Sequence, residues 1–311
     1  MGALSSQRHC SHHARLRSRG GRGVRPYTYN VSLDILMSCR QQPALSLFAI
    51  GLLGLGGLAL GYGDFALVWQ PVPAWLPART AVAYASGVLM ILLGLGLLVA
   101  PVRKWAVRVL LPYLFLWALL KVPDVVSKPG TEGSWLGLGE LTLLLAGGWT
   151  LFAVFGDIPS ESPFGFLAGG RGVQAASYLF AVSIVPIGLS HIVYVDATAG
   201  FVPHWLPAPR AWAYLTGAGQ IASGLGVLFN VLPRLAAWAE AGQITVYTLL
   251  VWLPALLTAP TRLNRTAFAI SWIFGAAAWV VAQNMAGEHR AESLPKSAAS
   301  ADPISSTLRC V

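Results

Sequence analysis

Charge is what this sequence has least of. Only 11% of its 311 residues are Asp, Glu, Lys or Arg, where a soluble domain carries about 25%, so a water-solvated globule is excluded. Cysteine is scarce too. Cys10, Cys39 and Cys310 stand far apart and form no CxxC, and no Cys/His group has metal-ligand spacing. The chain therefore offers no dithiol centre and no metal site. It has no phosphate-binding glycine loop, no HExxH, no nucleophile elbow and no lipid-modification signal. The start lacks the apolar core of a signal peptide, so insertion through the first membrane helix is expected. His191 is the one histidine within the apolar runs, which leaves a bis-histidine haem without its second ligand.

Apolar sequence fills the space that charge leaves. Hydrophobic residues make up 55% of the chain, in runs of about 20 residues, the length that crosses a bilayer as a helix. In lipid the backbone must satisfy its own hydrogen bonds. These runs do not alternate, so they are helices and not barrel strands. The expected class is an all-α polytopic membrane protein with eight spans: 44–63, 81–100, 107–122, 135–155, 175–195, 211–231, 244–258 and 267–285. Residues 1–42, which hold six arginines from Arg8 to Arg25, read as a disordered basic tail, and 287–311 as a second tail. The Gly-, Pro- and Ser-rich stretch 157–174 reads as a linker between a first unit, 43–156, and a second, 175–286.

The two units repeat one another. Val72-Pro-Ala-Trp-Leu-Pro-Ala returns as Val202-Pro-His-Trp-Leu-Pro-Ala, and 15 of the 27 positions from Val72 to Leu98 are identical 130 residues later. Such internal similarity sets the architecture: two four-helix bundles, parallel because each unit has an even number of spans. Fifteen of the 21 Lys and Arg fall on the side of the termini, which places both termini in the cytoplasm by the positive-inside rule.

Ionisable residues inside a membrane mark function by default. Lys121, near the end of the third span, and Glu140, five residues into the fourth, are expected to face each other, either as an ion pair clipping two helices or with Glu140 handling a proton or ligand. His191, near the end of the fifth span, suits a proton relay, a hydrogen bond to a quinone carbonyl, or an interfacial bond to backbone. At the offset of 130 it aligns with Gly61, and Glu140 aligns with Ile270. Gln220 is a polar intruder in the sixth span, suited to interhelical hydrogen bonding. Around the repeated loops, Pro73, Pro77, Pro203 and Pro207 fix extended or turn geometry. Trp75 and Trp205 suit the headgroup level, and Tyr84 and Tyr214 open the helix after each loop.

These loop residues carry a resemblance. His191, the Pro203-His-Trp-Leu-Pro207 loop, the Trp212-Ala-Tyr-Leu-Thr-Gly217 helix start and the Gly-rich helix after it resemble the DoxX-like family of bacterial membrane proteins. The first half keeps Pro73–Pro77 and Tyr84–Gly87 but has no histidine near Asp64. The resemblance implies a four-helix unit, here fused as a pair in the bacterial inner membrane. It further implies an accessory or redox-associated membrane subunit without catalytic activity of its own, linked to quinone and to a redox partner subunit as well as to the lipid bilayer. The alternative function is a small-molecule or lipid permease with a cavity between the halves. No nucleic-acid partner is expected.

Overall fold

Glycine and alanine at three- and four-residue spacing let apolar helices approach backbone to backbone, and this packing organises the molecule. The computed structural model describes the backbone of residues 28–292 and the side chains of residues 43–285. The contacts below all lie within the compact unit Cys39–Val311. Residues 1–27 and 293–311 of the expected tails lie outside the described residues. Every regular element described is helical: α1 (Thr28–Tyr62), α2 (Arg79–Leu98), α3 (Ala100–Ser127), α4 (Glu132–Phe155), α5 (Gly169–Val193), the short α6 (Val195–Ala199), α7 (Pro209–Leu228), α8 (Pro233–Tyr247), α9 (Leu253–Thr258) and α10 (Arg262–Glu292).

Seven stretches of these helices are long and apolar enough to cross a membrane, so the chain is a multi-pass α-helical membrane protein. Helix α7 occupies the expected sixth span at 20 residues but is not among the seven, because Thr216, Gln220 and Ser223 interrupt its apolar content. Several span limits differ from expectation. The first span, Pro43–Tyr62, falls where it was expected, within a helix that begins at Thr28, whereas α5 begins at Gly169 rather than at 175. Helix α3 begins at Ala100, not 107, because its cations find acceptors. Arg103 donates to the Leu97 carbonyl at 2.8 Å, and Arg108 to the carbonyls of Gly156 and Asp157 at 2.8 and 2.7 Å. The seventh span begins at Pro233, not 244, and runs without a break through a π-helical turn, Thr248–Trp252, into α9.

Helix limits and contacts recur between the halves. Arg79–Leu98 and Pro209–Leu228 differ by 130 at both ends, as do the spans Glu132–Phe155 and Arg262–Met285. A Cβ on Gly96 would meet Ala106, and one on Gly226 would meet Ala236, so α3 and α8 share the offset of 130. For α1 and α5 the offset is different. A Cβ on Gly94 would lie 2.9 Å from the Ala49 carbonyl oxygen and one on Gly224 2.7 Å from that of Ala181, so these two helices match at 132. The second loop is two residues shorter, which restores 130 by α7. The π turn, which holds one extra residue in a helical ladder, then shifts α9 by one against α3.

The halves meet through small residues. Helix α5 lies on α4, where a Cβ on Gly139 would meet the Ser183 carbonyl at 2.8 Å and Pro186 at 2.9 Å. Helix α1 lies on α10, where one on Gly51 would meet Ile273 at 2.7 Å. Gly147 of α4 sits as tightly on Ala277 of α10. Phe48, Leu143, Phe180, Ile184 and Ile273 fill the buried interior around these contacts.

Candidate functional site

Three helices of the second half point polar side chains into one corner. On α7, Thr216 and Gln220 are four residues apart and share a face. On α8, so do Glu240, Gln243 and Tyr247. His191 of α5 completes the group. Helices α5 and α7 touch at the backbone there. A Cβ on Gly217 would lie 2.7 Å from the Gly188 carbonyl oxygen and 2.9 Å from the His191 Cβ.

The hydrogen bonds fix most of the atoms. Gln243 Nε2 donates to the Thr216 carbonyl at 2.9 Å and to the Tyr247 hydroxyl at 2.6 Å. Gln220 Nε2 donates to Glu240 Oε1 at 3.1 Å. Gln220 is 1% exposed and Glu240 0%, yet among the described residues Gln220 Oε1 and Glu240 Oε2 have no hydrogen-bond partner. The His191 ring lies 5.6 Å from that of Tyr247, and its Nδ1 is 3.0 Å from Thr216 Oγ1. The single Thr216 hydroxyl proton goes to the Trp212 carbonyl at 2.8 Å. With the proton so placed, Thr216 accepts from His191 Nδ1–H, and in that tautomer of neutral His191 the Nε2 atom carries the lone pair. No described residue bonds Nε2.

Of the expected site residues, His191 and Gln220 fall in this corner. Glu240 is the member that the sequence reading missed. It falls between the expected sixth and seventh spans, 211–231 and 244–258, beside Arg234 and Gln243. The repeat itself held the signal, because 130 residues before Glu240 stands Leu110, well inside the third span.

Lys121 of α3 and Glu140 of α4 lie on neighbouring helices, but among the described residues they form no ion pair. The Lys121 arm crosses Gly137, where a Cβ would lie 2.9 Å from its Nζ, and Nζ pairs with Asp124 at 2.9 Å. An aspartate one turn along the same helix competes successfully because it needs no second helix to be positioned. The Glu140 carboxyl faces the Trp69 indole and, at longer range, Lys121 and Glu132. Nor does His191 match Gly61. Ala59 lies against Gly87 as His191 lies against Gly217, so the counterpart is Ala59, displaced from the sequence alignment by the shorter second loop.

The repeated loops adopt one conformation. Leu76 N–H donates to the Pro73 carbonyl and Leu206 N–H to that of Pro203, and each loop ends in a left-handed alanine, Ala78 and Ala208, at φ 52° and 53°. Pro77 and Pro207 precede these residues. Trp75 and Trp205 are 78% and 71% exposed. Tyr84 and Tyr214 are exposed as well, and the Tyr84 ring lies against Gly63.

Beside each loop an aspartate takes the arginine that opens the next helix, Asp64 with Arg79 and Asp196 with Arg210. Asp64 also accepts from Arg262 of α10 at 2.9 Å. Burial pushes the Asp64 carboxyl up. The Arg262 and Phe65 N–H bonds and the two guanidinium charges outweigh that and hold it below the ordinary carboxylate range.

Fold and corner together define an integral membrane protein with a buried, partly unsatisfied polar group in its second half. The DoxX family model matches residues 175–253, which carry every member of that corner, so this part of the chain is similar to DoxX. No curated protein and no solved structure matches the chain.

Proposed function

We propose that the chain is a redox-associated accessory subunit of the bacterial inner membrane, with both termini in the cytoplasm, whose second half binds the headgroup of a quinone. The observation that carries this reading is Glu240, a fully buried carboxyl with one oxygen bonded by Gln220 and the other unpaired. An unsatisfied buried polar atom costs about 1–3 kcal/mol, and a membrane helix keeps an ionisable group at such cost where it is used. His191 Nε2 suits both redox forms. Neutral, it accepts from a quinol hydroxyl; protonated, it donates to a quinone carbonyl. Reduction of a quinone to the quinol takes two electrons, which come from a partner redox subunit, and two protons, for which His191 and Glu240 are the two carriers. Among the described residues no cluster of His, Cys, Asp or Glu suits a metal ion, and the proposal routes no step through one.

The permease alternative needs room between the halves. The close contacts of Gly139, Gly147 and Gly51 across that boundary support the accessory reading instead. The recurrence of helix limits supports descent from a fused pair of four-helix units.

The test is purification in native lipid followed by mass spectrometry of what is retained. One quinone per chain, lost in Glu240→Leu and His191→Ala variants that keep the wild-type elution profile, is the expected result. A retained fraction with only bilayer lipids would overturn the proposal.

A further inference from the structure

The interfaces α1–α10 and α5–α4 are counterparts, yet only one of them is filled. On α5, Pro186 packs onto Gly139. The matching residue of α1, at the offset of 132, is Gly54, where an added Cβ would meet nothing within 4 Å. The missing bulk leaves a groove of about 300 Å³ between α1 and α9–α10, lined by Gly54, Leu58, Leu256, Phe268 and Trp272 with Arg265 at one end. Trp272 lies seven residues below Arg265 on α10, about 10 Å along the axis at 1.5 Å per residue.

The charged end is unbalanced. Arg265 is exposed, and among the described residues it reaches only the Tyr62 hydroxyl, at 3.3 Å, with no carboxylate in ion-pair range. Arg262, over the same Tyr62 ring at 5.2 Å, and Arg79 share the single carboxylate of Asp64. Three guanidiniums thus stand against one carboxylate at the mouth of an apolar slot. A slot of this kind takes a ligand with an anionic head and a hydrocarbon body, and the surrounding solvent supplies one. Basic sites between membrane helices hold anionic lipid headgroups.

We propose that this groove seats one acyl chain of an anionic phospholipid whose phosphate is held by Arg265. The full chain is reconstituted in nanodiscs of phosphatidylcholine and phosphatidylglycerol, extracted, and read by native mass spectrometry. Wild type retains one phosphatidylglycerol in preference to phosphatidylcholine. Arg265→Ala loses that preference several-fold, Arg265→Lys keeps most of it, and Gly54→Leu loses bound lipid of both kinds because it fills the slot. Inorganic phosphate at millimolar concentration does not displace the lipid, since the chain contributes to binding. Equal retention of the two lipids by wild type, unchanged preference in Arg265→Ala, or release by phosphate alone would each overturn the proposal. Should Gly54→Leu fail to fold, phosphatidylglycerol brominated along its acyl chains gives a second reading. It quenches more tryptophan fluorescence in wild type than in Trp272→Phe if a chain lies in the groove, and equally in both if none does.

Discussion

Leu110 and Glu240 occupy the same place in two corners of one fold. In the first half the corner is Ala59, Ser86, Met90, Leu110, Tyr113 and Trp117; in the second it is His191, Thr216, Gln220, Glu240, Gln243 and Tyr247. One hydroxyl position survives in both. Ser86 Oγ bonds the Tyr113 hydroxyl at 2.7 Å, and Thr216 Oγ1 bonds His191 Nδ1 at 3.0 Å. Everything else has been exchanged, Met90 and Leu110 being buried and apolar where Gln220 and Glu240 are buried and polar. The scaffold therefore does not require the polar corner, and the second half carries it for another reason.

The sharpest way to break that comparison is to move the residues across it. Leu110→Glu puts a carboxyl beside Met90, which offers no hydrogen bond. An uncompensated buried charge of this kind costs about 3–5 kcal/mol, read as a lower unfolding midpoint in detergent. The reverse graft, Glu240→Leu with Gln220→Met, removes both members of the buried pair. It is expected to be neutral or to stabilise by about 1–4 kcal/mol while abolishing quinone retention. If the double variant unfolds as early as Leu110→Glu, the second corner is structural.

Glycines draw the next contrast, between the boundary of the halves and the open face of α1. A Cβ on Gly147 would lie 2.6 Å from the Ala277 Cβ and 2.8 Å from its Cα, whereas one on Gly57 would meet nothing within 4 Å. Gly147→Val is expected to cost about 1–3 kcal/mol by overpacking. Gly57→Ala is expected to gain about 0.5–1 kcal/mol by removing a helix glycine. Thermal unfolding of the two variants side by side checks the pair.

The same residues show how far the sequence could be read. Apolar runs and the Trp-Leu-Pro repeat carried the helical membrane fold, because span length and backbone self-satisfaction leave few alternatives. The turn geometry of the loops was legible as well, since proline acts locally, but the left-handed alanine that ends each loop was not. Glu240 was legible as a membrane residue only through the repeat, which sets it opposite Leu110, and not from its own helix. Its burial depends on Gln220 from another helix, and no window along α8 contains that partner. Lys121 and Glu140 were expected to face each other, but Lys121 pairs with Asp124, whose advantage is conformational rather than compositional. The His191 match failed by two residues because a loop length, invisible in an ungapped alignment, shifts α5 against α1.

A smaller effect separates the two loop aspartates. Asp64 holds two arginines and Asp196 one. Because the folded Asp64 carboxyl lies below its unfolded value of about 3.9, its stabilisation is present above that pH and is lost as pH falls through the folded value. The Asp64→Asn variant should unfold earlier than wild type at neutral pH, by about 1 kcal/mol or less for so partly exposed a pair. The two midpoints should converge as pH drops below about 4. A gap that stays constant down to that range would mean that Asp64 acts through shape and not charge.

The smallest effect tests whether the two loops are equivalent at all. Ala78 and Ala208 both sit at positive φ, a conformation that costs an L-residue about 1–2 kcal/mol. Glycine relieves that strain but gives the unfolded chain more freedom, worth about 0.4–1 kcal/mol in the opposite direction. Ala78→Gly and Ala208→Gly should therefore each stabilise by roughly half a kcal/mol, the difference of those two effects. Equal shifts in unfolding midpoint would mean that both turns bear the same strain whatever chemistry follows them. A gain at Ala78 alone would mean that the second loop has another source of tension, and the Asp196–Arg210 pair beside it is the first place to look.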